Sequence, residues 1–570
     1  MPAGTCWNSL AAKRREWKGS VSSCAGSGLL LFLILAILSR VSAQVYSQPG
    51  GVSPGKYTLS GTVINTATGE GVPHALVQVL DRAQLTGAEG EFRFEGLPSA
   101  ELMPVAHKPG FFNSEERSSR SGGPGSQDKL VKLGPDTRPI IIKLQPEGVI
   151  SGSVTGSEGE PVEGVMLQLH HQQVVNGRRE WAVEGPGKSN EDGEFRIANL
   201  LPGTYFLSAR PEPKRVVRGT RPSRVEEGYA SMFYSGAPDL TSAAPIAVQA
   251  GGNAQVNLSL RSEPTFRVAG TISGYAPGLG VNLQFTTPGG DEVPIDINLD
   301  PPTGSFEARM VPAGTYTVRA TAFVPAKGAP QRLLAELPLQ VRSNVNNVHL
   351  VLQPAPAIPV VVREEFVKSQ EQPGFTTVPP GMRGAQMVSV RLFSLGRPNF
   401  EVYSRFEGPP ENFRLVLADA EPGKYRVEIT PNGGPWYVAS AQFGETDLSR
   451  EDLVIYPGAS QPLEVVVRDD PASLDVTVQL GESDEQALVL IVPDRRISPA
   501  QQGYFRRGGV ARFNGLAPGD YRIYAFDDVA GLEYMNPEAM RDYFPKSARI
   551  TLHANDNASV HLDLIRRGGE

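Results

Sequence analysis

FRIANLLPGTYFLSA, residues Phe195–Ala209, alternates apolar and polar side chains, breaks at Pro-Gly, and resumes the alternation through a tyrosine. The same pattern returns as FEARMVPAGTYTVRA (Phe306–Ala320), FRLVLADAEPGKYRVEI (Phe413–Ile429) and VARFNGLAPGDYRIYAF (Val510–Phe526). A degenerate copy, EFRFEGLPSAELMPVA (Glu91–Ala106), keeps Phe92, Phe94 and Pro98 but has no Gly-x-Tyr. Tyr205, Tyr316, Tyr425 and Tyr521 are 111, 109 and 96 residues apart, a period of one small domain. Period-2 alternation gives strands with one buried and one wet face, and two such sheets must bury their apolar faces against each other. Proline presets the turn, and the glycine is expected to supply a positive φ angle beside the crowded tyrosine strand. The tyrosine reads as a core or corner residue, its ring inside and its hydroxyl reaching the backbone.

Working outward, LSGTV (Leu59–Val63), ISGSV (Ile150–Val154) and VAGTI (Val268–Ile272) open three of the repeats. In the first two they lead into GEGVPHALVQV (Gly69–Val79) and GEPVEGVMLQL (Gly159–Leu169), each a turn followed by an alternating strand. Repeats close on IIIKLQ (Ile140–Gln145), AQVNLSL (Ala254–Leu260), NVHLVLQ (Asn347–Gln353), LEVVVRD (Leu463–Asp469) and ASVHLDL (Ala558–Leu564). The fold class expected is all-β: a tandem array of about five Greek-key β-sandwich modules, transthyretin- or immunoglobulin-like, after an N-terminal signal sequence. The divisions read as a signal peptide 1–43, a linker 44–56, and modules 57–146, 147–263, 264–354, 355–470 (divergent, with a loop 364–386) and 471–570.

Composition agrees. Gly and Pro together supply 110 of the 570 residues, which suits short strands and tight turns better than long helices. The only cysteines, Cys6 and Cys24, fall in the leader, which excludes a disulfide scaffold, a cysteine nucleophile or a thiolate metal site in the rest of the chain. That leader has a basic segment (Lys13, Arg14, Arg15, Lys18), the apolar run GLLLFLILAIL (Gly28–Leu38) and a small-x-small ending at Ala43. This is the layout of a secretory signal, the run being short for a bilayer span of about 20 residues. An uncleaved anchor is the lesser alternative, and the mature protein is expected in the periplasm, outer envelope or medium with no membrane span. Residues 1–43 carry five basic residues and one acid, so their removal takes the net charge from −7 to −11. An acidic chain is a poor nucleic-acid binder.

In the second repeat Gly152, Pro161, Gly164, Asp192, Gly193, Phe195, Pro202, Gly203 and Tyr205 follow the spacing G-x-V…G-x-P-V-x-G-V-x-V…D-G-x-F…L-x-P-G-x-Y. This resembles the carboxypeptidase regulatory-like domain, the transthyretin-like sandwich appended to some zinc carboxypeptidases and repeated in exported bacterial proteins. The stretch from Tyr437 to Ile565 is similar to the tail of large exported repeat proteins of that type. The resemblance implies a carbohydrate-binding-like fold that is not catalytic by itself.

Catalytic patterns are not found. His74, His107, His170, His171, His349, His553 and His561 form no HxxE or HExxH, and the adjacent pair His170-His171 would point to opposite faces of a strand. Gly122–Ser126 is a loop rather than a nucleophile elbow, and the acidic turns at Asp192, Asp527 and Asp556 lack EF-hand spacing. No enzyme, cofactor or metal is expected. Two features suit binding. RPEPKRVVRGTRPSR (Arg210–Arg224), with Arg215, Arg218 and Arg221, is a basic loop that reads as solvated or as contacting an anionic partner. Tyr229, Phe233 and Tyr234, then Tyr534 and Tyr543, with Trp181 and Trp436, are aromatics that stack on sugars or pack. The function expected is non-catalytic binding of polysaccharide at the cell envelope. The alternative is a structural or adhesive spacer that binds another envelope protein through sheet edges or loops.

Overall fold

The structure is a computed structural model. It describes residues 56–120, 131–135, 137–213, 226–290, 292–325, 331–355, 357–367, 386–397, 400–407, 414–456, 458–459, 461–481 and 486–567. The expected signal sequence, the basic loop with Arg215, Arg218 and Arg221, and most of the loop 364–386 lie outside the described residues.

The chain is an all-β tandem array of five β-sandwiches. Each opens on a strand that lies between two neighbours in its sheet. These opening strands are Tyr57–Asn65, Gly148–Thr155, Ser262–Ser273, Ile358–Glu364 and Ala472–Gln479. The closing strand of each sandwich, Ile140–Pro146 in the first and Asn557–Asp563 in the last, runs parallel to its opening strand. The same parallel pairing joins the ends of the other three. On the opposite side lies an antiparallel strand that carries the repeat's buried phenylalanine: Phe92 and Phe94, Phe195, Phe306 and Phe513 in the first, second, third and fifth sandwiches. The glycine of ISGSV has a direct cause here: a Cβ on Gly152 would land on the carbonyl oxygen of Val256 in the closing strand. Gly61 and Gly270 meet the same obstacle.

The facing sheet carries the tyrosine strand. In the second sandwich it runs Arg178–Lys188, Met166–Val175, Gly203–Arg210 and Met232–Phe233. Every tyrosine of the repeat is buried, and each hydroxyl donates to the carbonyl four residues back. Tyr205 reaches Leu201 at 2.8 Å, Tyr316 reaches Pro312 at 2.9 Å, Tyr425 reaches Glu421 at 2.9 Å and Tyr521 reaches Ala517 at 2.7 Å. The bond satisfies a buried hydroxyl and ties the strand to the turn that precedes it, a tyrosine corner.

The positive φ expected at the Pro-Gly glycine is present at Gly519 (φ 148°) and Gly423 (φ 158°) but not at Gly203 or Gly314. In all four copies a further positive-φ residue, in the left-handed helical region, stands six before the tyrosine: Asn199 (φ 62°), Met310 (φ 57°), Asp419 (φ 64°) and Gly515 (φ 75°). In the second, third and fifth sandwiches it lies within a β-bulge. There Gly148 faces Leu200 while Ile150 faces Ile197, so residues 198 and 199 oppose Val149 alone. The bulge bends the Phe strand toward the corner, and one of the two extra residues takes the left-handed conformation. The first sandwich, which lacks the tyrosine, keeps the bulge at Gly96 (φ 68°).

Two sandwiches depart from the plain plan. In the fourth, Glu401–Glu407 pairs with both Arg414–Leu417 and Val388–Ser394, so the two sheets join into one nine-stranded sheet folded over its core. In the fifth, Gln486–Pro493 (QALVLIVP) is buried on both faces, as its continuous apolar run demands. Its inner face meets Tyr521 and Phe513, and its outer face meets Tyr524, Phe526, Val529, Leu532 and Tyr534.

Candidate functional site

The aromatics singled out in the sequence are placed as follows. Trp181 is half-buried on Arg178–Lys188, edge-on to Phe206 at 5.5 Å between ring centres. Tyr229 donates its hydroxyl to the Glu160 carboxylate. Phe233 is buried with its ring 5.3 Å from His170, and Tyr234 packs against the core of the second sandwich. Trp436 is buried in the fourth sandwich and donates its indole N–H to the Met387 carbonyl at 3.1 Å. Tyr534 is buried and Tyr543 lies edge-on to Phe526 at 5.2 Å, both in the outer core of the fifth sandwich. The structure thus gathers Tyr229 and Tyr234 on one core and Tyr534 and Tyr543 on another, with Trp181 and Trp436 apart from both.

His170 and His171 point to opposite faces of Met166–Val175, and both are buried rather than on the surface. His170 Nε2 lies 3.1 Å from Ser208 Oγ, while His171 packs on Tyr205 with its Nε2 3.3 Å from a Glu184 carboxylate oxygen. Among the described residues no three His, Cys, Asp or Glu side chains gather as a metal site.

Tyr534 leads to a cleft where the second, fourth and fifth sandwiches meet. Strands Met166–Val175 and Arg178–Lys188 form a long hairpin, closed by the turn Asn176-Gly177 with φ 49° and 73°. Two successive positive φ angles are what a type I′ hairpin turn requires, and Asn-Gly is a pair that adopts them readily. This turn reaches the fifth sandwich. Gly177 lies so close to the Tyr534 ring that a Cβ there would overlap it, and the Met535 amide donates to the Gly177 carbonyl at 3.0 Å. Arg179 Nε donates to Glu533 at 2.8 Å, joining residues 354 apart in sequence. The same hairpin meets the fourth sandwich through Glu180, which accepts from Arg426 at 3.0 Å.

Between these contacts is a cavity of about 320 Å³. Val174, Pro499, Ala500, Val529, Leu532 and Met535 form its apolar walls. Arg178, Glu428, Gln502 and Tyr534 bring its polar groups. The Tyr534 hydroxyl accepts from Gln502 Nε2 at 2.6 Å, which leaves its own proton to be donated elsewhere. Burial, and then the charge of Arg426, lower the Arg178 guanidinium to about 10, while Glu428 and Glu180 oppose that shift. Arg178 is still a cation at neutral pH. The site can therefore offer a desolvated cation, a carboxylate, an amide and a hydroxyl in an apolar pocket.

No family model matches this chain, and no curated protein does. Among solved structures it is similar to GBS52, the minor pilin of the Gram-positive pathogen Streptococcus agalactiae. That match has 14% identity over 37% of this chain and 98% of that one, with a TM-score of 0.18. It is also similar to BcpA, the major pilin subunit of Bacillus cereus, at 9% identity over 73% and 99% of the two chains, with a TM-score of 0.13. A streptococcal ancillary pilin aligns at 10% identity over 52% and 99%, with a TM-score of 0.18. With identities and scores this low, the functional reading rests on the chain's own residues.

Sequence reasoning missed Arg178, Glu428, Gln502 and Gly177. Asn176-Gly177 between two alternating runs was the available signal for a hairpin tip, but nothing local says what the tip touches. A second missed residue is Glu421. It occupies the position four before the corner tyrosine, which is Leu201, Pro312 and Ala517 in the other copies. An acid there was the sign of a buried ionic joint. Its carboxylate is met by Arg319 at 3.0 Å and Arg332 at 3.1 Å from the third sandwich, and by Arg397 from its own.

Proposed function

We propose that this chain is an exported, non-catalytic scaffold of five modules, divided at 57–146, 147–263, 264–354, 355–470 and 471–570, with a structural or adhesive role at the cell envelope. The observation that carries this reading is the way the sandwiches are fastened. The third docks on the fourth through buried Glu421, and the second returns to the fourth and fifth through its hairpin. The fifth also sends Ile497 into the core of the fourth, where its carbonyl accepts from the Ile429 amide at 2.9 Å. Such joints set the spacing and orientation of binding surfaces in advance, which lowers the entropy cost of holding a partner. A protein partner would be held at a sheet edge. Arg82–Leu85, at the end of its sheet in the first sandwich, has all four residues exposed and is flanked by exposed Leu80. The resemblance of the second repeat to the carboxypeptidase regulatory-like domain fits a non-catalytic module of this kind. The carbohydrate reading draws less support, because Phe233, Trp436 and Tyr534 are buried and offer no open ring face to a sugar.

The test uses the absence of cysteine beyond the leader. With Cys6 and Cys24 replaced by serine, Ser157→Cys in the second sandwich and Ser559→Cys in the fifth give a unique pair of exposed spin-label sites. A single narrow distance distribution is expected, and a broad one overturns the scaffold. Affinity electrophoresis in soluble polysaccharides is the complementary measurement, since a retarded band would restore the carbohydrate reading.

A further inference from the structure

The cleft beneath the hairpin tip has two features that the scaffold role does not use. Among the described residues neither the Arg178 nor the Glu428 side chain has a hydrogen-bond or ion-pair partner, although both line the same cavity. The charges around them are taken up elsewhere: Arg426 is paired with Glu180 at 3.0 Å and Arg496 with Asp452 at 3.0 Å. What remains facing the cavity is one cation and one anion, not in contact, beside a tyrosine hydroxyl whose proton has no acceptor among the described residues.

We propose that this cleft binds a small zwitterion, an α-amino acid or dipeptide with a short apolar side chain, its carboxylate on Arg178 and its ammonium on Glu428. The inference is independent of the scaffold reading. A purely anionic ligand would leave Glu428 desolvated and opposed to it, and a purely cationic one would do the same to Arg178. Only a ligand carrying both signs converts the two groups into charge-assisted hydrogen bonds. The fork of the guanidinium matches a carboxylate in geometry, and the Tyr534 hydroxyl adds a further donor for it. Val174, Val529, Leu532 and Met535 form the apolar surface that a side chain of valine or leucine size would cover. At about 320 Å³ the cavity is at the small end of the range for ligand sites, roughly 300–1,000 Å³, which suits a ligand of one or two residues. Because the cation comes from the second sandwich, the anion from the fourth and the hydroxyl from the fifth, the ligand would bridge all three.

The experiment is isothermal titration calorimetry of the purified full-length chain with three probes: alanyl-leucine, isocaproate as the acid without the amine, and isopentylamine as the amine without the acid. Saturable binding of the dipeptide is expected, with each single-charge probe at least tenfold weaker. Arg178→Gln and Glu428→Gln should each weaken the dipeptide by tenfold or more. Ala500→Trp keeps both charges and fills the cavity, and it should abolish binding with the thermal melt unchanged. The proposal is overturned if the dipeptide gives no saturable heat, if isocaproate binds as well as the dipeptide, or if Ala500→Trp binds like the parent chain.

Discussion

Two of the joints between sandwiches are made of different materials. Between the third and fourth sandwiches a nearly inaccessible carboxylate, Glu421, is surrounded by Arg319, Arg332 and Arg397. Glu336 and Asp419 at the margin balance the cations, with Arg319 donating to Glu336 at 2.6 Å and Arg332 lying 3.9 Å from Asp419. Between the second and fifth sandwiches the contact is a glycine turn laid on a tyrosine ring, one backbone hydrogen bond, and an ion pair whose arginine is more than half exposed. The first joint fixes orientation by demanding that every buried charge find its partner, at little net gain over an apolar contact. The second depends on shape, since only a residue without a side chain lets the backbone approach the ring.

Substitutions can separate the two, and tryptophan fluorescence serves as a local probe because Trp181 and Trp436 are the only tryptophans beyond the leader. The largest effect is expected from Glu421→Ala, which leaves three cations facing one another in a buried site. A loss of about 3–5 kcal/mol is expected in urea unfolding followed through Trp436, with the Trp181 transition unchanged. Tyr534→Ala should come next, at about 3 kcal/mol, because it opens a cavity in the outer core of the fifth sandwich and removes the support of the hairpin tip. Hydrogen exchange should then accelerate at residues 174–179 while the amides around Glu421 stay protected.

Smaller still is Tyr521→Phe, at about 1 kcal/mol for one buried hydrogen bond, with both joints left intact. The corners also give a pH dependence. Burial pushes Tyr316 and Tyr521 up to about 12 from an ordinary value of 10.0. The unfolded chain therefore ionises first. Their contribution is complete below pH 10 and is lost as the pH rises through 12, and the double Phe variant should show a smaller fall in urea midpoint over that interval. The smallest effect is Arg179→Gln, under about 1 kcal/mol, because solvent screens its pair with Glu533. A larger loss would mean that the second joint depends on charge more than its geometry indicates.

Much of the fold was legible because its signals are local. A strand that buries one face must alternate, and a tyrosine whose hydroxyl reaches back four residues must follow a tight turn, so four corners were readable from Tyr205, Tyr316, Tyr425 and Tyr521. The bulge was not legible. Its left-handed residue is Asn199, Met310 or Gly515, and the methionine gives no hint, because the conformation is imposed by the mismatch with the opening strand. Of the cleft, only Tyr534 was singled out, as an aromatic that stacks on sugars or packs. His170 and His171 were correctly assigned to opposite faces, but their burial was not visible, since both faces of that strand are covered only after the hairpin and Phe233 fold over it.

The sequence by itself determined the class of element, the number of repeats and the corner that opens each tyrosine strand, since period-2 burial, Pro-Gly turns and a hydroxyl's need for an acceptor act within a few residues. Only the tertiary structure decided that the second sandwich returns to the fifth, that Glu421 is buried among arginines, and that Arg178 and Glu428 share one cavity. Those outcomes depend on which surfaces lose water against each other. Residues 354 apart, as Arg179 and Glu533 are, carry no local mark of that choice.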